Sequence, residues 1–142
     1  DNFLTMNRTS LITALRAAIA PLGYSFETGD VHSSASKIRT YPAAWLDTPT
    51  AVAAEGVNEG FIEYRISIRL LHEADHVAVL DPETAWAKIE NDALVFLHNL
   101  YIEEGVVAID TIKMVPTAFQ TTNHGELGLT LTFALKVEHY FC

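Results

Sequence analysis

Hydrophobic residues along this chain recur at two periods, one helical and one of two residues, and the changes between them mark out the elements. Between Asn7 and Leu22, the residues Leu11, Leu15, Ala18, Ile19 and Leu22 fall at helical spacing. Thr9 or Ser10 can cap the N-terminus, and Gly23 stands just past the end. This predicts a first amphipathic helix. The stretch Glu27–Ser36 mixes Gly29, Asp30 and three serines and reads as a loop. Lys37–Leu46 reads as extended, and Pro42, which lacks an amide donor, suits an edge strand or a strand break. Asp47–Gly60 carries Pro49, Gly56, Gly60 and three carboxylates without a base, the pattern of a long acidic hairpin loop.

From Phe61 to Leu71 the alternation is clean. Ile62, Tyr64, Ile66, Ile68 and Leu70 face one way, and Glu63, Arg65, Ser67 and Arg69 the other, which predicts a half-buried strand. Asp81-Pro82-Glu83 then supplies an N-cap carboxylate, a proline at the first helical position and an acidic first turn. A second helix follows, with an apolar stripe of Trp86, Ile89, Ala93, Leu94, Phe96, Leu97, Leu100 and Tyr101, and Gly105 placed to end it in the left-handed conformation. Val106–Val115 reads as a strand stopped by Pro116, and Asn123-His124-Gly125 as a turn. The last strand gives the strongest alternation in the chain: Leu127, Leu129, Leu131, Phe133, Leu135 and Val137 line one face, and Thr130, Thr132, Lys136 and Glu138 the other.

The predicted fold class is α+β with element order α-β-β-α-β-β, a circular permutation of the ferredoxin-like plan. A right-handed crossover from the Phe61 strand through the second helix to the Val106 strand leaves room between them for the last strand. The expected sheet has four mainly antiparallel strands, in the order Val106–Val115, last strand, Phe61–Leu71, Lys37–Leu46, with both helices on one face. The two proline-marked strands would then form the edges.

Composition narrows the classes. The chain has 142 residues, 49% of them hydrophobic, and a mean hydropathy of +0.17. That suits one folded domain over residues 7–142, burying roughly 68–70% of the unfolded chain's surface without staples. Residues 1–6 read as an N-terminal extension with Met6 as the natural start, and no secretory signal pattern is expected there. The single cysteine, Cys142, permits no internal disulfide, so cytoplasmic folding is expected. Asn7-Arg8-Thr9 fits a glycosylation sequon and reads as accidental. Eighteen acidic against nine basic residues leave a formal charge of −9, and the bases are scattered, which disfavours a grip on nucleic acid. Lys37/Arg39 and Arg65/Arg69 read as solvated or ion-paired strand faces.

Candidate chemistry is sparse. His72-Glu73-Ala74-Asp75-His76 matches the H-E-x-x-H spelling of zinc peptidases, which needs a helix to set both histidines on one face with the glutamate against the metal. Here the run leaves a predicted strand and stops before the helix start at Asp81, so it reads as a polar strand exit. His32, His98, His124 and His139 stand apart in sequence and read as packing or surface residues. Glu103-Glu104 and Glu73/Asp75 read as solvated charge, and Trp45 and Trp86 as core residues rather than stacking platforms. No catalytic residue, cofactor site or metal site is expected.

The α-β-β-α-β-β order, the extended Tyr41-Pro42-Ala43-Ala44-Trp45-Leu46 segment and the loop before Phe61 together resemble phage tail terminator, or tail-completion, proteins. The resemblance runs from Asn7 to about Tyr140 and is one of architecture, with no residue motif to transfer. It implies a virion structural protein of the tail, assembled in the bacterial host cytoplasm. Such a protein forms a homo-oligomeric ring, a hexamer in that family, which caps the tail tube and joins it to head-completion proteins, with neither specific nucleic-acid binding nor a membrane. On this resemblance the candidate subunit or tube contacts are Tyr41, Trp45, Asp47, Glu55, Glu59 and Lys113. The alternatives are another head-tail neck or tail-associated protein, or a ferredoxin-like ligand-binding or regulatory module.

Overall fold

The computed structural model describes residues 8–29, 41–56, 59–73, 82–118 and 126–140. The chain is α+β, and its spine is a pair of fifteen-residue antiparallel strands, β4 (Glu59–Glu73) and β6 (Glu126–Tyr140), in unbroken register from Glu59 opposite Tyr140 to Glu73 opposite Glu126. Their alternation is the cause. Tyr64, Ile66, Ile68 and Leu70 on β4 and Leu129, Leu131, Phe133, Leu135 and Val137 on β6 fall on one face, and a one-residue slip would turn every one of them out of the core.

Helix α1 (Arg8–Ile19) and helix α2 (Pro82–Tyr101) pack against each other and share one hydrophobic cluster with that face. Leu11, Ala14, Leu15, Ala18 and Ile19 are the buried positions of α1, at the predicted spacing. A short 3₁₀ turn over Ala20–Leu22 ends it, and Gly23 at φ 82° turns the chain while its N–H donates to the Ala20 carbonyl at 3.1 Å. From α2, Ile89, Ala93, Phe96, Leu97 and Leu100 enter the core, with the Phe96 and Phe133 rings edge-on at 6.3 Å. Asn99 Nδ2 donates to the Ala18 carbonyl at 3.1 Å and ties the helices together. Leu94 and Tyr101, expected in the buried stripe, are exposed instead, because α2 presents a narrower face to the sheet than the stripe allows. The expected cap Asp81 lies outside the described residues.

The expected four-stranded sheet is corrected to six strands. The order is β1 (Ser25–Gly29), β2 (Ala43–Asp47), β4, β6, β5 (Val106–Ala118), and β3 (Thr50–Glu55) also pairs with β4. Both extra strands replace predicted loops. β1 takes the start of the Glu27–Ser36 stretch and pairs in parallel with β2, from Ser25 opposite Ala43 to Gly29 opposite Asp47. Thr28 Oγ1 adds a bond to the Leu46 carbonyl at 3.1 Å. β2 is therefore an interior strand rather than an edge. It is buried on both sides, which explains the unbroken apolar run Ala43–Leu46. The remainder of the predicted Lys37–Leu46 strand, residues 37–40, lies outside the described residues.

β3 turns much of the predicted Asp47–Gly60 loop into a hairpin arm, with Thr50 opposite Arg65 and Glu55 opposite Phe61. The arm is tight. A Cβ at position 60 would run into the Glu55 carbonyl oxygen, so the close approach requires glycine. The long strand β4 thus has β3 beside its first half and β2 beside its second half. On the other side, β5 continues through Pro116 to Ala118, past the predicted stop, and pairs only with β6 among the described residues. An edge position accommodates the missing proline N–H.

Candidate functional site

Polar side chains converge at the end of β4. His72 is the penultimate residue of that strand, so the H-E-x-x-H spelling begins on extended backbone, and Ala74, Asp75 and His76 lie outside the described residues. Tyr24, in the short link between α1 and β1, places its hydroxyl 2.6 Å from His72 Nε2 and donates to Asp92 Oδ2 on α2 at 2.8 Å. The phenol has one proton, and Asp92 receives it. His72 is therefore the donor to the Tyr24 oxygen through Nε2–H, which leaves Nδ1 as the acceptor nitrogen of the ring. The two rings meet edge-on at 5.3 Å.

The electrostatics of this trio oppose ionisation of its two ring groups. Burial, then the hydrogen bond donated to Asp92 and the charge of Asp92, push the Tyr24 phenol far above its ordinary range. Burial first, and then the positive charge of Lys88, lower the His72 pKa against the opposing pull of Asp92. Near neutral pH the imidazole and the phenol are both neutral. A phenol held protonated is neither nucleophile nor base, and His72 Nε2 is already committed to it. What the trio does is fasten three segments distant in sequence: the α1–β1 link, the end of β4 and the middle of α2. No group of three or more His, Cys, Asp or Glu side chains that could hold a metal occurs among the described residues.

The sequence-derived contact candidates do not converge on one place. Tyr41 packs on a small second cluster of Ala43, Trp45 and Leu71, on the sheet face away from the helices. Trp45 is 0% exposed, so it is a packing residue in this structure rather than a surface contact, and its indole N–H lacks a hydrogen-bond partner among the described residues. Asp47 accepts from Arg69 Nη2 at 3.0 Å, which absorbs its charge. Glu55 is exposed at the tip of β3, beside a shallow groove formed with Phe61, Glu63 and Lys136. Glu59 opens β4 and pairs with Tyr140, and its side chain lies outside the described residues. Lys113 is exposed on β5, across the sheet, opposite Thr132.

Two β-bulges shape this open face. Val52 is the extra residue in the β3–β4 ladder, and Thr111, at φ 56°, lies within the register shift between Asp110 and Lys113 in β5. A concavity runs between them, lined by Val52, Glu63, Arg65, Thr111, Thr132 and Ala134. Its charges alternate in sign. Glu63 stands opposite Lys136, whose ammonium lies 5.7 Å from the Phe61 ring centre, and Arg69 is engaged by Asp47. Such a surface lacks the clustered bases that phosphate binding requires.

The sequence reads His72 as part of a polar strand exit, where the structure has it at the end of β4, and gives no sign of Tyr24 or Asp92 as its partners. Forty-eight residues separate Tyr24 from His72 and 68 separate it from Asp92, so no local spacing announces the trio. The exposed apolar residues Ile112 and Val115 on β5 and Val52 on β3 were also missed, although they occupy the two flanks of the sheet. No protein-family model matches the chain, and neither does any curated protein sequence.

Proposed function

We propose that this chain is a structural subunit of a phage tail, resembling a tail terminator, which closes head-to-tail into a homo-oligomeric ring and caps the tail tube. The observation that carries this reading is the pair of unlike margins that the sheet leaves open among the described residues. β5 forms one side with Ile112 and Val115 exposed, while β3 with Val52, and β1 beyond β2, form the other. Two different surfaces meeting head-to-tail make a heterologous contact, and such contacts generate rings when the rotation closes.

The margins differ from those expected. Ala43–Leu46, the paired part of the segment expected to supply a free edge, is covered by β1, so among the described residues the joining strand on that flank is β3 or β1. The bulges of β5 limit regular pairing to part of its length, with Lys113–Ala118 as its longest even run. Acidity serves the same reading. A net charge of −9 on each copy keeps a DNA-conducting channel from holding its cargo. The exposed carboxylate Glu55 on the β3 arm is placed to meet the tube or the lumen.

Size-exclusion chromatography with light scattering on the full chain tests this, followed by negative-stain imaging with tail-tube protein. A ring on the end of the tube is expected. A monomer that persists at high concentration and forms no ring on the tube overturns the reading. Attachment elsewhere on the tail favours the neck-protein alternative.

A further inference from the structure

The last turns of α2 carry apolar residues on two opposite sides, the outer set standing around the exposed His98. Ala93, Phe96, Leu97 and Leu100 enter the core, whereas Leu94, Val95, Tyr101 and Ile102 stand 54%, 38%, 57% and 69% exposed on the opposite side. An apolar stripe on a helix is ordinarily covered, and among the described residues only the first of these two is. Helical spacing sets Leu94 and Tyr101 seven residues apart and Val95 and Ile102 likewise, so the four form one ridge over two turns that encloses the exposed His98. They are too many and too close to be the scattered surface hydrophobics that need no explanation.

The charge around the ridge selects its occupant. Glu90 lies one turn before Leu94, and Glu103 and Glu104 follow Ile102 directly. The negative end of the helix dipole falls at the same place. The only lysine or arginine of α2, Lys88, stands on the flank toward His72. We infer that this ridge is a docking surface for a helical segment of a different protein, one with an apolar stripe bordered by Lys or Arg. A second copy of the chain fits poorly. Antiparallel self-pairing centred near His98 brings Glu103 and Glu104 of each copy toward Glu90 of the other, and like charges across an interface are costly. An anionic membrane is repelled by the same carboxylates. This surface is separate from the sheet margins, so the inference stands independently of ring formation.

The test uses the full chain and synthetic helices of about 18 residues, or five turns, that share one leucine stripe and carry either lysine or glutamate borders. Fluorescence anisotropy should show saturable binding of the lysine-bordered helix alone, weakening as NaCl rises from about 50 to about 500 mM. Leu94→Glu and Ile102→Glu should each weaken it by about tenfold or more, the loss of one interface anchor. Because both side chains are exposed, melting temperatures should stay at the wild-type value, which separates lost docking from lost folding. Equal binding of both helices, binding of neither, or undiminished binding by the variants overturns the inference. So does self-association that Leu94→Glu abolishes, or capture of the chain by anionic vesicles.

Discussion

β6 and β5 lie side by side, thirteen to fifteen residues long, yet they are built differently. β6 keeps one register with β4 for its whole length, and its alternate residues from Leu127 to Val137 are buried. Against its other neighbour, register shifts twice, between Val106 and Ala108 and between Asp110 and Lys113, and β5 leaves Ile112 and Val115 exposed. A strand held on both flanks is fixed by its side chains. A strand held on one flank can take extra residues, and the bulges let it bend and twist away from a flat edge. Stability should therefore be concentrated in β4 and β6, and tolerance in β5.

The largest effect should come from Phe133→Ala. The side chain rises from β6 into the core, edge-on to Phe96 of α2, and its loss should cost about 3–5 kcal/mol in urea unfolding. Ile112→Ala on β5 serves as the contrast, with a change within about 0.5 kcal/mol for an exposed site. Similar losses at both positions would erase the distinction between the strands.

Tyr24→Phe comes next, and it asks whether the end of β4 is held by polar contacts as firmly as its middle is by apolar ones. It removes one hydroxyl that serves both His72 and Asp92, and a cost of about 1–2 kcal/mol is expected, since both partners are only part-buried and regain water. A double-mutant cycle with Asp92→Asn should show coupling; strict additivity would mean that the bonds contribute nothing in solution.

The pH dependence is smaller and has a definite sign. The folded-state pKa of His72 is lowered, so below its ordinary value of about 6.5 the unfolded chain binds more protons. The contribution is fully present above that pH and is lost as pH falls toward the folded-state value. Stability measured downward from pH 7 should decline more steeply in the wild type than in His72→Gln. An unchanged slope would mean that His72 is solvated.

Legibility in the sequence follows the same division. β4, β6, α1 and α2 were readable because burial on one side imprints a period, as at Ile66-Ile68-Leu70 or Leu11-Leu15-Ala18. β1 and β3 were not. β3 is exposed throughout and carries no alternation, while β1 is half-buried on nearly every residue and is held by backbone pairing to β2. The trio of Tyr24, His72 and Asp92 depends on topology, which brings together three elements without any short-range spacing. The H-E-x-x-H spelling could be set aside from sequence because a motif written for a helix starts here on a predicted strand, and His72 and Glu73 do end β4. The surplus apolar residues of α2 were visible as a wide stripe, but sequence alone assigned Leu94 and Tyr101 to the core.

The smallest predicted effect bears on whether β5 holds strain at its bulge. Thr111 is β-branched and sits at φ 56°, a conformation that L-residues adopt at a cost of roughly 1–2 kcal/mol. Thr111→Gly removes that cost and introduces the greater chain entropy of glycine in the unfolded state, worth roughly 0.5–1 kcal/mol. The balance favours the variant by about 0.5 kcal/mol, small enough that replicate denaturant titrations at fixed m-value are needed to see it. Thr111→Ala is the control. It keeps the Cβ and hence most of the left-handed penalty, so it should gain little. If alanine stabilises as much as glycine, the benefit comes from shedding the branched side chain rather than from the backbone, and the bulge is unstrained.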